Sequence, residues 1–153
     1  MRIIKIKTNK KQFLSLLLLG DEQEDMIDRY LEQGDMFVMF NSDKQAMAVA
    51  VVAVKDSKTV ELKNLAVAQT EQGKGFGRLM LTYISDFYAE KFETLLVGTG
   101  DVQKTVGFYE HCGFSFSHRV KDFFVQNYNH PIFEDGVNLK DMVYLKRRIA
   151  KPN

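Results

Sequence analysis

Apolar and polar residues alternate over RIIKIK at residues 2–7, and apolar residues then cluster over residues 10–19 and recur to residue 33. The alternation predicts a strand; the next two stretches predict helices over 10–19 and 22–33, the second opening near Asp21 and stopping before Gly34. MFVMF, QAMAVAVVAVK and TVELKNLAVA follow, separated by NSDK and DSK. Their apolar, β-branched content and these turn residues predict three consecutive strands in an antiparallel meander. From Lys74 to Lys91, Leu79, Met80, Tyr83, Ile84, Phe87 and Tyr88 recur at steps of three and four, as in an amphipathic helix with one core face. TLLVGT reads as a short buried strand, VQKTVGFYEHC as a helix ended by Gly113, and FSFSHRV and DMVYLKRR as two late strands. The predicted class is α/β: a mixed, largely antiparallel central sheet flanked by helices.

Composition narrows the class of partner. A chain of 153 residues, 45% hydrophobic and 27% charged, suits one domain with its own core over residues 1–153. The 21 basic against 20 acidic side chains leave a net charge of +1, which argues against a nucleic-acid groove. The single cysteine, Cys112, forms no intramolecular disulfide and points to a reducing, cytoplasmic setting. His111, His118 and His130 lack the spacing of a metal pair, so no metal site is expected. The basic start and FLSLLLL imitate a secretory leader, but LLGDEQE lacks a small-residue cleavage pattern, and no stretch approaches the roughly 20 apolar residues of a membrane span. No membrane partner is expected.

The chemistry concentrates in EQGKGFGRLM, residues 71–80. Gly73, Gly75 and Gly77 lie where a strand gives way to a helix, so free backbone N–H groups and the positive end of the helix dipole converge there. Such a junction attracts phosphate: bare backbone lets a pyrophosphate approach, and Lys74 and Arg78 add charge at the rim. A plain glycine-rich turn is the alternative. The spacing is neither GxxxxGK[ST] nor the dinucleotide GxGxxG, whose last glycine is Arg78 here. Gln72, Gly75 and Gly77 do fill a pattern of Gln or Arg, two residues, Gly, any residue, then Gly or Ala. In this the segment resembles the coenzyme A loop of the GNAT superfamily of N-acetyltransferases. NLAV before the loop resembles that family's fourth strand, and GFYEHCGF its later LYEKLGF element. The resemblance covers roughly residues 35–120, and Val102 stands where members often carry Asn.

The resemblance implies acetyl-CoA as co-substrate, with Gln72, Gly73, Lys74, Gly75, Phe76, Gly77 and Arg78 around the pyrophosphate and the main chain of Leu65, Ala66 and Val67 along the pantetheine. It also implies direct transfer of acetyl to an amine-bearing acceptor, with no covalent enzyme intermediate. Tyr109 matches the tyrosine that protonates the departing thiolate; a phenol is protonated at neutral pH and able to donate. A packed core tyrosine is the other reading. Glu61 aligns with a glutamate base of the histone-acetylating branch, and strand periodicity puts it on one face with Lys63, Leu65 and Val67. A solvated Glu–Lys pair is the competing expectation, because a neighbouring positive charge opposes what a base near neutrality needs. Asn64 is expected to face the other way, orienting substrate or satisfying buried backbone.

Cys112 reads as a small apolar filler. NYNHPIFEDGVNLKD reads as a long polar connection whose Glu134, Asp135 and Asp141 favour cationic acceptors, unless it is only a solvated surface turn. The leading function is acetylation of a small-molecule amine; a protein lysine or N-terminal amine is the rival acceptor, and a non-catalytic acyl-CoA-binding module the rival class. A homodimer is carried as an expectation.

Overall fold

The computed structural model describes residues 1–151. In chain order the elements are β1 (Arg2–Ile6), a 3-10 turn (Lys10–Phe13), α1 (Leu14–Gly20), α2 (Glu24–Asp28), β2 (Asp35–Phe40), β3 (Ala46–Val54), β4 (Thr59–Val67) and a second 3-10 turn (Gln69–Glu71). They continue as α3 (Phe76–Tyr88), β5 (Thr94–Gly100), α4 (Gln103–His111), β6 (Ser115–Val120), α5 (Phe123–Asn127), β7 (Phe133–Glu134), β8 (Val137–Asn138) and β9 (Met142–Arg148). Seven strands form one sheet in the order β1-β2-β3-β4-β5-β9-β6, while β7 and β8 pair separately. Only β4 and β5 run parallel within the large sheet; its other neighbours are antiparallel.

The uninterrupted apolar runs of β2 and β3 follow from burial on both faces. Phe37, Met39, Ala48, Ala50 and Val52 pack in a core with Met80, Leu81, Ile84 and Tyr88 of α3. Met36, Val38, Val49 and Val51 face a second core with Leu17 of α1, Ile27 of α2, Tyr30 and Leu31. Alternation fails as a signal where both faces are covered. A third, smaller cluster of Val102, Phe124, Ile132 and Leu139 ties α5 and the β7–β8 hairpin to the start of α4.

Several expected elements change shape. The helix expected over 10–19 divides into a 3-10 turn and α1, and that over 22–33 shrinks to α2. After Asp28 the N–H groups of Arg29 and Tyr30 bond three residues back, so the regular ladder ends there. The next helix starts at Phe76 rather than Lys74, because Gly75 holds φ 88. Its core face is narrower than its apolar stripe: Met80, Leu81, Ile84 and Tyr88 are buried, whereas Leu79 and Phe87 are exposed. The expected long connection contains a hairpin turned by Asp135 and Gly136, both at positive φ (51 and 76), as a two-residue primed turn requires.

One buried cation secures the N-terminal layer. The Lys10 ammonium donates to the carbonyls of Leu31 at 2.9 Å, Glu32 at 3.2 Å and Gly34 at 2.7 Å, closing the turn that leads into β2. Lys10→Met keeps the stem and leaves three carbonyls unpaired, so we expect a loss of about 2–4 kcal/mol in stability by chemical denaturation. An unchanged unfolding midpoint would show that water replaces the ammonium there.

Candidate active site

The sheet opens at its centre. β4 and β5 are paired from Thr59↔Thr94 to Leu62↔Val97, after which β4 continues against β3 alone and β5 against β9 alone. A bulge starts the divergence: Val51 pairs with Asn64 and Val52 with Leu62, leaving Lys63 as the extra residue. The Ala68 N–H bonds to the Met47 carbonyl on β3 at 2.8 Å, so by strand alternation the main-chain groups of Leu65 and Val67 point into the opening. The Val67 carbonyl takes a hydrogen bond from Gln72 Nε2 at 3.0 Å, which makes Gln72 a brace between strand and loop.

The glycine loop follows. Gly73 (φ 78) and Gly75 (φ 88) need left-handed backbone, and space around both is open. Gly77 serves another purpose: a Cβ there would lie 3.1 Å from the Phe108 ring, so its absence lets α3 close against α4. The missing β-carbons therefore shape the loop and the helix packing as well as clearing its approach. Gly75 caps α3 without a side-chain hydrogen bond, and the helical ladder begins with Leu79 N–H to the Gly75 carbonyl at 3.0 Å. The N–H groups of Phe76, Gly77 and Arg78 are thereby left for an anion, with Arg78 on the same wall. Lys74, expected at the rim, pairs with Glu71 at 3.0 Å and does not line the cleft.

Opening and loop belong to one cleft of about 790 Å³ that continues past Tyr109 to a floor made by the α1–α2 loop, α5 and the hairpin. Tyr109 comes from α4 with 7% of its surface exposed, packed on Phe108 and Phe114. Burial pushes its phenol well above the usual value, with smaller contributions from Cys112 and Glu134, so it stays protonated. The far end carries the carboxylates of Asp21, Glu22, Glu134 and Asp135 beside Phe124, Tyr128 and Phe133.

Other expected residues are engaged in different contacts. The bulge puts Glu61 on the face opposite Leu65 and Val67, where its Oε2 meets Lys63 Nζ at 3.2 Å; Lys63 lines the cleft and Glu61 does not. Period-2 counting fails across an inserted residue. Asn64 satisfies buried backbone, donating to the Leu17 carbonyl at 2.9 Å. Asp141 is held by Arg119 at 3.1 Å and by the Asp122 N–H, away from the cleft wall. Val102 packs beneath the hairpin, and Asp101 beside it is paired with Arg119 at 3.0 Å. Cys112 is buried at the end of α4. Sequence reasoning missed Asp21, Glu22, Tyr128 and Phe133. Only the Asp135-Gly136 turn signal could have placed Phe133.

Among the described residues no cluster of three or more His, Cys, Asp or Glu side chains is placed to hold a metal, and no helix is long and apolar enough to cross a membrane. The divided sheet, free strand edge and uncapped glycine-led helix form a site suited to an anion at the helix head and an extended polar arm along the strand. Sequence comparison matches residues 32–116 to the acetyltransferase (GNAT) domain. An uncharacterised N-acetyltransferase of Bacillus subtilis (strain 168), YvbK, is 36% identical over 141 residues, covering 91% of this chain and 90% of that protein. A GNAT family acetyltransferase of Elizabethkingia anophelis, solved with acetyl-CoA bound, superposes with a TM-score of 0.91 at 30% identity, over 96% and 97% of the two chains. A Bacillus subtilis acetyltransferase in complex with CoA gives 0.86 at 34% identity, again over 96% and 97%. The chain belongs to the GNAT superfamily and is an acetyl-CoA-dependent acetyltransferase.

Proposed function

We propose that the protein transfers the acetyl group of acetyl-CoA directly to the primary amine of a small molecule, with Tyr109 as proton donor. The observation that carries this reading is that the carboxylate-bearing residues Asp21, Glu22, Glu134 and Asp135 line the same cleft as Tyr109. The α1–α2 loop and the hairpin both line this cavity, which favours a compact acceptor over a folded protein surface. Its carboxylates favour a cation, the state in which an alkylamine arrives at neutral pH.

The free N–H groups of Phe76, Gly77 and Arg78, with the Gln72–Gly75 loop and the Arg78 side chain, would hold the pyrophosphate. The main-chain groups of Leu65 and Val67 would hold the pantetheine arm and polarise the thioester carbonyl, whereas those of Ala66, expected beside them, face β3. Acetyl-CoA supplies the activated acyl group. Tyr109 gives its phenolic proton to the leaving sulfur as the C–N bond forms and the C–S bond breaks. We assign Glu61 no proton transfer, because it is engaged with Lys63 off the cleft wall. Glu61→Gln is accordingly expected to retain the wild-type pH–rate profile; a flattened acidic limb in that variant would return Glu61 to the mechanism.

The acceptor assignment is tested by comparing kcat/KM for simple alkylamines with that for amines bearing a carboxylate. The cationic series should react faster. A preference for the anionic series would contradict the role given to the acidic floor.

A further inference from the structure

One carboxylate in the cleft is prepared in a way that its neighbours are not. Asp21 sits between α1 and α2, adjacent to Gly20, where a Cβ would lie 3.1 Å from the Leu65 carbonyl on the free edge of β4. Asp21 lines the same cleft as Leu65, Val67 and Tyr109. Tyr128 donates to its Oδ1 at 2.7 Å and Tyr30 to its Oδ2 at 3.2 Å.

The direction of these hydrogen bonds is fixed from the backbone outward. The Leu17 carbonyl can only accept, so the amide nitrogen of Asn64 must face it. The same nitrogen donates to the Tyr30 hydroxyl at 3.0 Å, which leaves the Tyr30 proton for Asp21. Burial, foremost, and the charge of Asp21 push Tyr30 above the usual range, while burial and the hydrogen bond to Asp21 do the same for Tyr128. Both phenols therefore keep their protons and Asp21 is the acceptor at the end of the chain. It makes no ion pair within 4.0 Å among the described residues. The Gln23 backbone N–H donates to it as well, and because a carboxylate has about four lone-pair sites, capacity for a further donor remains.

We propose that Asp21 receives the acceptor as its ammonium ion and takes the proton that frees the amine for attack, with Tyr30 and Tyr128 as the residues that position it. The assignment rests on the acetyl-transfer reading above. The first N–H bond of the ammonium breaks and its proton moves to Asp21, then to solvent. The freed nitrogen lone pair forms the C–N bond, the C–S bond breaks, and Tyr109 protonates the sulfur. The second proton lost by nitrogen restores Tyr109, so the reaction releases one proton net. Burial raises the Asp21 carboxyl above the ordinary value, against the opposing hydrogen bonds from Tyr128 and Tyr30, which makes it a better proton acceptor than a surface aspartate. Arg29 after α2 acts on it through its charge, Glu22 adjoins it in the chain, and the cleft wall carries Lys63, Arg78 and Lys104 with Glu71, Glu134 and Asp135.

The test is the pH dependence of kcat/KM for butylamine at saturating acetyl-CoA. In the wild type the rate should rise through the Asp21 titration and level off well below the pKa of butylamine. In Asp21→Asn it should fall by roughly 10²-fold at neutral pH and climb instead until the amine itself deprotonates, with acetyl-CoA affinity unchanged. Tyr128→Phe removes a donor that favours the carboxylate, so its acidic limb should move to higher pH. A merely structural Asp21 would lower stability without moving that limb. Superimposable profiles for the wild type and Tyr128→Phe, or a wild-type plateau that persists in Asp21→Asn, would overturn the assignment. Wild-type protein that acetylates no amine would overturn the underlying reading instead.

Discussion

Tyr109→Phe is expected to lower turnover by about 10² to 10⁴, the usual contribution of a general acid, with little change in acetyl-CoA affinity. The ring keeps its edge-on contacts with Phe108 and Phe114, at centroid distances of 5.0 and 5.4 Å, so the α4 core should survive and the lost group is the proton alone. Burial gives this residue a distinctive pH signature. With Tyr109 as the proposed proton donor the protonated phenol would be the active form, and activity would be lost only as pH rises through its folded pKa. That value lies above the ordinary phenol value of about 10, so the wild-type rate should show no alkaline decline at the usual phenol position. Wild-type turnover in Tyr109→Phe would leave Tyr109 as a packed core residue.

Gly75→Val should have a comparably large effect, on binding instead of chemistry. Gly75 holds φ 88, where a β-branched residue is strained, and the space around a Cβ there is open. A valine there distorts the loop and covers the N–H groups of Phe76, Gly77 and Arg78. Losing two charge-assisted hydrogen bonds to a pyrophosphate corresponds to about 3 kcal/mol, or roughly a hundredfold weaker acetyl-CoA binding by calorimetry. Thermal unfolding of the variant separates this from the backbone strain of about 1–3 kcal/mol. A folded Gly75→Val protein with wild-type affinity would place the pyrophosphate elsewhere.

The parts of this site that were legible in the sequence are those encoded by neighbours. The glycine loop is written within residues 72–78, the strand before it ends at Val67, and Tyr109 stands inside GFYEHCGF; the structure brings all three onto one cleft. The meander was legible for the same reason, since turn residues adjoin each apolar run. Glu61 shows where local reading stops. The apparent alternation of β4 continues through Lys63, but the bulge exchanges the faces: Leu62 belongs to the α3-side core, and so does Leu65, three residues later. Asp21 shows the other limit. It looks like an ordinary helix-start residue, and its partners Tyr30 and Tyr128 lie 9 and 107 positions away. The hairpin over the acceptor end falls between these cases, because Asp135-Gly136 carried a turn signal inside a segment whose polarity reads as loop.

Direct transfer of acetyl from acetyl-CoA to an amine in this cleft predicts a fixed product ratio. Its most direct measurement follows free thiol release and N-acetylated product together, with wild-type protein, acetyl-CoA and a panel of cationic alkylamines, each with an amine-free control. Thiol and acetylated amine should appear in equal amounts, only when amine is present, with no acetylated protein accumulating. Thiol released equally without amine, or bound acetyl-CoA that never turns over, would contradict it.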